Sequence, residues 1–355
     1  MREKRLNRVL HVMKQMDVDA VTIRGMDNIY YLTGFRGSEG SLLVTKGDVM
    51  LLIDFRYLTY ATEVTRNVTI VETKDKENPL ALLSERYGIK RLGFDSFNTT
   101  YQVYQRWKEA IPEIEFVPIG AELESIRAQK EPEEILAIRR AIQVATEAFT
   151  LMLGKIAPGR TEKQVAAELD HAMRSLGAEG PSFETIVASG ARAALPHAQP
   201  TDKPLQKGEA VIIDFGCHID GYASDETCTI TLGETDQKLR DMYLVVDEAR
   251  RKGIRAVRAG VPVRELDALV RGTIEEHGFG EYFRHGTGHG LGIAVHEAPA
   301  ITAKTDTLLE ENMVITVEPG IYIPHVGGIR MEDVVLVGEN GGEVLTRLRK
   351  DLLQV

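Results

Sequence analysis

Residues 157–177 read APGRTEKQVAAELDHAMRSLG, and residues 259–278 read AGVPVRELDALVRGTIEEHG. Laid over each other at an offset of 101, Gly159 falls on Gly260, Val165 on Leu266, Leu169 on Val270, Met173 on Ile274 and Gly177 on Gly278. The apolar positions recur every fourth residue, one face of a helix, and each helix stops at a glycine suited to a left-handed C-terminal cap. Each then runs into β-rich sequence: 184–189, 210–215 and 223–232 after the first, 313–323 and 328–337 after the second. A repeated unit of this kind predicts an α+β domain with an internal pseudo-twofold duplication, whose ligands lie where the halves meet.

Upstream, residues 121–155 form a long charged helical stretch with Pro132 near a helix start. Before it, elements alternate. Apolar residues at helical spacing predict a helix over 2–16, β-rich runs predict strands at 20–23, 41–45, 49–53, 68–71 and 91–94, and helices are expected at 56–64, 79–87 and 100–110. This is the pattern of a smaller α/β domain. We therefore expect domains at 1–122 and 123–355.

The 355 residues carry 43 Lys+Arg against 53 Asp+Glu, a formal net charge of −10. Nucleic-acid binding is disfavoured, because it draws on a basic face that neutralises phosphates. Nine of the ten surplus negative charges lie beyond residue 125. The two cysteines, Cys217 and Cys228, are too few for a disulfide framework. No segment has the ~20 apolar residues of a membrane span, and the basic N-terminus lacks the apolar run of a signal peptide. A cytoplasmic protein is expected.

Seven of the nine histidines fall between residues 197 and 325, interleaved with carboxylates on expected strands. Asp214 closes the run AVIID and Asp225 follows in GYASDETCTI, with HIDGYA as the turn of a hairpin. In the second repeat Glu318 ends MVITVEPG and Glu332 sits in GIRMEDVVLV; the offsets, 104 and 107, are close to that of the helices. The duplication thus maps two carboxylates onto two carboxylates. Four such groups in one interior repel one another and need cations. A carboxylate-rich set favours a harder ion such as Mn(II), with Co(II) or Zn(II) competing. The imidazole candidate lies in RHGTGHGLG, 284–292, where four glycines argue against the helix that an HExxH zinc site requires and let the backbone approach metals and substrate closely. Any one of these residues alone reads better as a surface acid or a loop histidine; the whole set at repeat-consistent spacing does not.

VIIDFG, SDxT, HGTGHGLG, HEAP, VEPG and RMED, in this order, resemble the metallopeptidases that include methionine aminopeptidase, aminopeptidase P and prolidase, which have the pita-bread fold. IYYLTGF and DFRYLTYA resemble stretches of the N-terminal domain of the Xaa-Pro members. The resemblance implies two divalent metal ions held by Asp214, Asp225, His289, Glu318 and Glu332, with Asp225 and Glu332 bridging. It implies Glu318 as the proton carrier, His296 and His197 as catalytic histidines near the scissile bond and its developing oxyanion, and His285, Arg330 and Tyr322 around the substrate. It further implies a homodimer acting on proline-containing peptides. Cys228 stands where many members of the family have Arg.

Methionine aminopeptidase is disfavoured because it does not need the first 120 residues. Creatine-type amidinohydrolase chemistry predicts a site without the metal carboxylates. A metal-free pita-bread peptide-binding protein is the alternative from another class. Between the Xaa-Pro activities, a dipeptidase must hold the free carboxylate beyond proline, ideally with an Arg fork. Prolidases of this family commonly carry Arg four residues after the HE histidine, where this chain has Ala300. The sequence therefore favours an Xaa-Pro aminopeptidase, with the Xaa-Pro dipeptidase as the alternative.

Overall fold

The computed structural model describes residues 2–73, 78–350 and 353–355. Contacts divide the chain into two units between Arg127 and Ala128.

The first unit is the expected α/β domain. Its elements run α1 (Arg2–Gln15), β1 (Ala20–Ile23), α2 (Met26–Thr33), β2 (Ser41–Thr45), β3 (Val49–Ile53), α3 (Leu58–Val64), β4 (Thr69–Glu72), α4 (Asn78–Tyr87), β5 (Arg91–Asp95), α5 (Tyr101–Ala110), β6 (Glu115–Ile119) and α6 (Ala121–Ser125). The strands form one mixed sheet in the order β4-β3-β2-β1-β5-β6. Two elements go beyond the sequence reading. The helix α2 lies in the IYYLTGF stretch and ends on Gly34 at φ 79°, whose N–H donates to the Tyr30 carbonyl. Strand β6 carries Pro118, which a sheet tolerates because β6 is an edge. The stretch 121–155 is not continuous: after α6 the chain extends, and α7 (Pro132–Leu153) starts afresh on a reciprocal cap between Glu131 and Glu134 with Pro132 in its first turn.

The second unit is duplicated more extensively than the sequence suggests. Its first half continues with α8 (Glu162–Ser175), β7 (Gly180–Pro181), β8 (Ile186–Ser189), β9 (Ala210–Phe215), β10 (Cys217–Ile219), β11 (Tyr222–Ala223) and β12 (Glu226–Thr231). The second half is α9 (Gln237–Ala256), α10 (Val263–Glu276), β13 (Gly288–Gly290), β14 (Glu297–Ile301), β15 (Val314–Val317), β16 (Gly320–Ile323), β17 (Gly327–Arg330) and β18 (Asp333–Val337); β19 (Gly342–Val344) and β20 (Leu353–Gln354) follow. The helix α9, unread in the sequence, is the counterpart of α7. Buried Ile138, Ala141, Ile142, Ala145 and Phe149 fall on buried Met242, Val245, Val246, Ala249 and Gly253 at a constant offset of 104. The repeat helices α8 and α10 are followed by Gly177 at φ 104° and Gly278 at φ 79°, as expected of left-handed caps.

Each expected long strand is broken. The pair β9–β12 belongs to the sheet β20-β12-β9-β8, while β10 and β11 between them join β7 in a small separate sheet. Likewise β15 and β18 lie in the sheet β14-β13-β15-β18-β19, while β16 and β17 pair only with each other. The turn within HIDGYA therefore joins β10 to β11, and β9 and β12 meet beyond it. Asp214, Asp225, Glu318 and Glu332 all sit within a residue of the points where a strand changes sheet. The unit has the mixed architecture of the pita-bread fold. No helix among the described residues is long and apolar enough to cross a membrane.

Beneath α7 and α8, Phe149 stacks on Phe215 with centroids 5.0 Å apart, and both rings are fully buried. Removing a ring here leaves a cavity next to the strand that carries Asp214. Phe149→Ala is expected to cost about 3–5 kcal/mol in urea unfolding; a loss under about 1 kcal/mol would contradict this packing.

Candidate metal centre and active site

All ten residues singled out in the sequence line one cavity of about 500 Å³ in the second unit. The ligand atoms of Asp225, His289 and Glu332 lie within 4.8 Å of one another. His289 Nε2 is 3.6 Å from Asp225 Oδ2 and 3.4 Å from Glu318 Oε1. Its Nδ1 is 3.1 Å from the Gly290 carbonyl, so Nδ1 carries the proton and donates, leaving the Nε2 lone pair aimed at the two carboxylates. Burial holds this imidazole at about pKa 4, with His296 nearby adding to the effect. Acceptors facing acceptors are stable only with a cation or a proton between them.

The carboxyls respond accordingly. Burial, then the charges of Glu332, Asp214 and Glu318, pushes Asp225 well above the usual range. Burial raises Glu332 similarly, reinforced by Glu318 and Asp214. Burial lifts Glu318 to about 8 against the opposing Arg330. Asp214 Oδ1 and Glu332 Oε1 are buried and have no hydrogen-bond partner among the described residues. Oxygens left bare in this way are the coordination positions that a divalent ion fills, and the donor set of four carboxylates and one neutral imidazole fits such an ion.

The remaining oxygens are tied into one chain. Arg330 Nη2 donates to Asp214 Oδ2 at 2.7 Å, and its Nε donates to Thr227 Oγ1 at 3.2 Å. Thr227 Oγ1 donates in turn to Glu332 Oε2 at 2.9 Å. Arg330 Nη1 reaches the Tyr322 hydroxyl and the Pro196 carbonyl, each at 3.0 Å. Every guanidinium nitrogen thus has a protein acceptor, and Arg330 is an anchor for Asp214 as well as a lining residue. His285 donates from Nδ1 to the Gly286 carbonyl at 2.8 Å and accepts at Nε2 from the Tyr322 hydroxyl at 2.9 Å. Burial lowers its pKa to about 4, so the ring is neutral. His296 packs edge-on against His289, centroids 4.3 Å apart, and His197 is an exposed lining residue.

Several supports went unread in the sequence. Asp267 of α10 accepts from Thr287 N and Oγ1 and pairs with Arg271, which donates to the Phe283 and His285 carbonyls, fixing the 284–292 loop. The buried pair Lys130–Glu297, at 2.9 Å, secures the residue after His296, with Glu297 Oε1 also accepting from Ile293 N and Ala294 N. Thr227 was legible only as the last letter of SDxT. The glycines of the loop, of which Gly286 and Gly288 line the cavity, also serve the sheet: a Cβ on Gly288 would lie 2.0 Å from the Thr316 carbonyl, and one on Gly290 2.3 Å from that of Ala298. They permit close strand pairing, which is what aims His289. Cys228 belongs to the core on the face of β12 away from Thr227, with its thiol pushed up by burial to about 12, so it adds no charge to the cavity. Ala300 is exposed on β14 and does not line the cavity. Neither do His11, His171, His218, His277 or His325.

Without a cation, Glu318 keeps near pH 8 a proton that an unfolded chain loses near 4.5. The stability tied to that proton is complete below about 4.5 and is lost as pH rises toward 8. His285 and His289 work the other way: held at about 4 against 6.5 unfolded, they contribute fully above 6.5 and lose it as pH falls. Above 6.5 the carboxyl trend is what remains. The urea midpoint of metal-free protein is therefore expected to fall between pH 6.5 and 8, and saturating Mn(II) to remove the fall; a flat profile without metal would contradict the crowding.

The family model of metallopeptidase family M24 matches residues 137–339, and that of the creatinase/prolidase N-terminal domain matches residues 5–129. An Xaa-Pro dipeptidase of Pyrococcus furiosus is 36% identical over 99% of this chain and 100% of that one. The solved Xaa-Pro dipeptidase from Bacillus anthracis superimposes with a TM-score of 0.97 at 39% identity, each chain covered completely. An X-Pro aminopeptidase from Thermotoga maritima superimposes at 0.88 with 35% identity over 96% of this chain and 99% of that one. With both of its domains matched and its carboxylates gathered in one cavity, the chain belongs to metallopeptidase family M24, in the branch that carries the creatinase/prolidase N-terminal domain.

Proposed function

We propose that the protein is a dinuclear-metal peptidase that hydrolyses the bond before proline, acting as an Xaa-Pro dipeptidase in the cytoplasm. The observation that carries the metal part is the pair of buried, partnerless oxygens, Asp214 Oδ1 and Glu332 Oε1, facing the same cavity as His289 Nε2. The dipeptidase part rests on full-length likeness to chains bearing that name. Both cysteines are free, which suits a reducing compartment.

Asp214, Asp225, His289, Glu318 and Glu332 would hold two divalent ions, Mn(II) in preference to Co(II) or Zn(II) on the hardness of the donors. When bound, such a pair supplies a Lewis acid for the scissile carbonyl and an acidified water as nucleophile. Glu318 takes the proton of the attacking water and returns it to the proline nitrogen, a task open to a carboxylate that lines the cavity beside the ions it helps to hold. His296 and His197 donate hydrogen bonds to the substrate carbonyl as charge develops on it. Neutral His285 and Tyr322 form the wall against the proline ring, and Arg330 keeps Asp214 and Tyr322 in place.

One observation favours the second reading, an Xaa-Pro aminopeptidase that accepts longer chains. Arg330 is the only Lys or Arg among the described residues lining the cavity, and it is already engaged, so a substrate carboxylate beyond proline meets no free fixed cation there. Kinetics on matched Xaa-Pro and Xaa-Pro-Yaa peptides decides. The dipeptidase reading expects kcat/KM to be at least tenfold higher on the dipeptide, and the opposite ratio would overturn it in favour of the aminopeptidase. Glu318→Gln is expected to lower kcat by about 10²–10⁴, and a variant of wild-type kcat would remove Glu318 from proton transfer. Absence of bound or restorable divalent metal in purified protein would instead support a metal-free binding protein.

A further inference from the structure

The residue after each bridging candidate is itself a buried carboxylate: Glu226 follows Asp225, and Asp333 follows Glu332. Each is matched by a cation on the far side of its strand from the cavity. Asp333 pairs with Arg250 of α9. Glu226 pairs with Lys350 at 2.7 Å, their side chains 1% and 3% exposed. At the offset of 104 that relates α7 to α9, the position of Arg250 is filled in the first half by Thr146, which only hydrogen-bonds Glu226 Oε2, at 3.2 Å. The missing helix cation is replaced by Lys350, which comes from outside the duplicated helices.

Lys350 is held for this purpose. Its carbonyl accepts from the Tyr243 hydroxyl at 2.9 Å, and β20 just beyond it pairs parallel with β12 through Ile230–Leu353 and Thr231–Gln354. Its ammonium also donates to the Thr227 carbonyl at 3.3 Å, the same oxygen that receives Glu332 N at 3.1 Å. Thr346, four residues earlier, donates to Asp333 Oδ1 at 2.6 Å. The segment 346–350 therefore touches the back of both strands that carry the bridging carboxylates. Stability alone does not account for it, since a buried ion pair commonly does no better than apolar residues of the same volume.

We propose that Lys350 is a positioning residue for the metal centre: acting through Glu226 and the Thr227 carbonyl, it locks β12 from behind and so aims Asp225 and Thr227 into the cavity. This rests on the reading of Asp225 and Glu332 as metal ligands. Residues that orient ligands in this way are worth about 10–100-fold in metal affinity.

The test uses full-length, metal-free wild type with Lys350→Met, Lys350→Arg and Glu226→Gln, titrated with Mn(II) by calorimetry and assayed on an Xaa-Pro dipeptide, with circular dichroism and urea unfolding to report the fold. Lys350→Met is expected to bind Mn(II) about 10–100-fold more weakly and to lose kcat at little-changed KM, with Lys350→Arg recovering most of both. Folded Lys350→Met with affinity and kcat within twofold of wild type, or with only its urea midpoint moved, would overturn the proposal. If Lys350→Met does not fold, the nearly isosteric Glu226→Gln decides by the same readings. Wild type that takes up no Mn(II) sinks the ligand reading, and the proposal with it; Mn(II) uptake equal in wild type and Lys350→Met sinks the positioning role alone.

Discussion

Everything in the second unit is arranged around the repulsion of four carboxylates that share one interior. Asp225, Glu318 and Glu332 are all driven above the ordinary carboxyl range, first by burial and then by neighbouring carboxylates, Asp214 among them in every case. A chain relieves such crowding by protonating, by admitting a cation, or by letting the groups move apart. The strands prevent the last of these. Each acid sits where a strand changes sheet, and Thr227, Arg330 and the Glu332 amide tie the two halves across the gap between them. The fold thereby turns an electrostatic cost into affinity for positive charge, which is the physical content of a metallopeptidase site.

The duplication explains how such a site is built. Each half supplies two helices, a broken hairpin and two carboxylates, and only together do the halves crowd four acids into one cavity. The halves differ in what surrounds the acids. The second contributes His289 from a strand squeezed between two others, and its loop is governed by Asp267 and Arg271. The first contributes the anchor Thr227 and borrows Lys350 for the charge that the second half carries on its own helix.

Much of this was legible in the sequence because burial and repetition leave regular marks. The helices α8 and α10 show their apolar faces and terminal glycines, and the four acids follow the helix offset closely. The helix α9 escaped notice because charged residues are interleaved with its apolar ones, although five of its buried positions fall on buried positions of α7 at the constant offset. The strand breaks at Gly216, Pro319 and Met331 went unread although Gly216, Pro319-Gly320 and the charged residues around Met331 interrupt the apolar runs, since only pairing partners tell one sheet from another. The partners that hold the site, Lys130 for Glu297, Asp267 for Thr287 and Lys350 for Glu226, lie between 20 and 167 residues away, and no local pattern announces such contacts. The preference between dipeptidase and aminopeptidase hung on one position, Ala300, which is exposed on β14 outside the cavity and so says less about the substrate carboxylate than its place in the motif suggested.

The row Arg330, Tyr322, His285 and Gly286 has only one way to share its protons. Arginine can only donate, so the tyrosine oxygen accepts from it; the tyrosine proton then goes to His285 Nε2, and the proton on Nδ1 goes to the Gly286 carbonyl. All the bond dipoles point the same way, and an imidazole gripped at both nitrogens can neither flip nor change tautomer without breaking the row. Its hydrogen-bonding capacity is exhausted, so it offers the cavity only carbon. A row of polar residues thus spends its protons on itself and turns no idle donor of these three side chains toward the cavity.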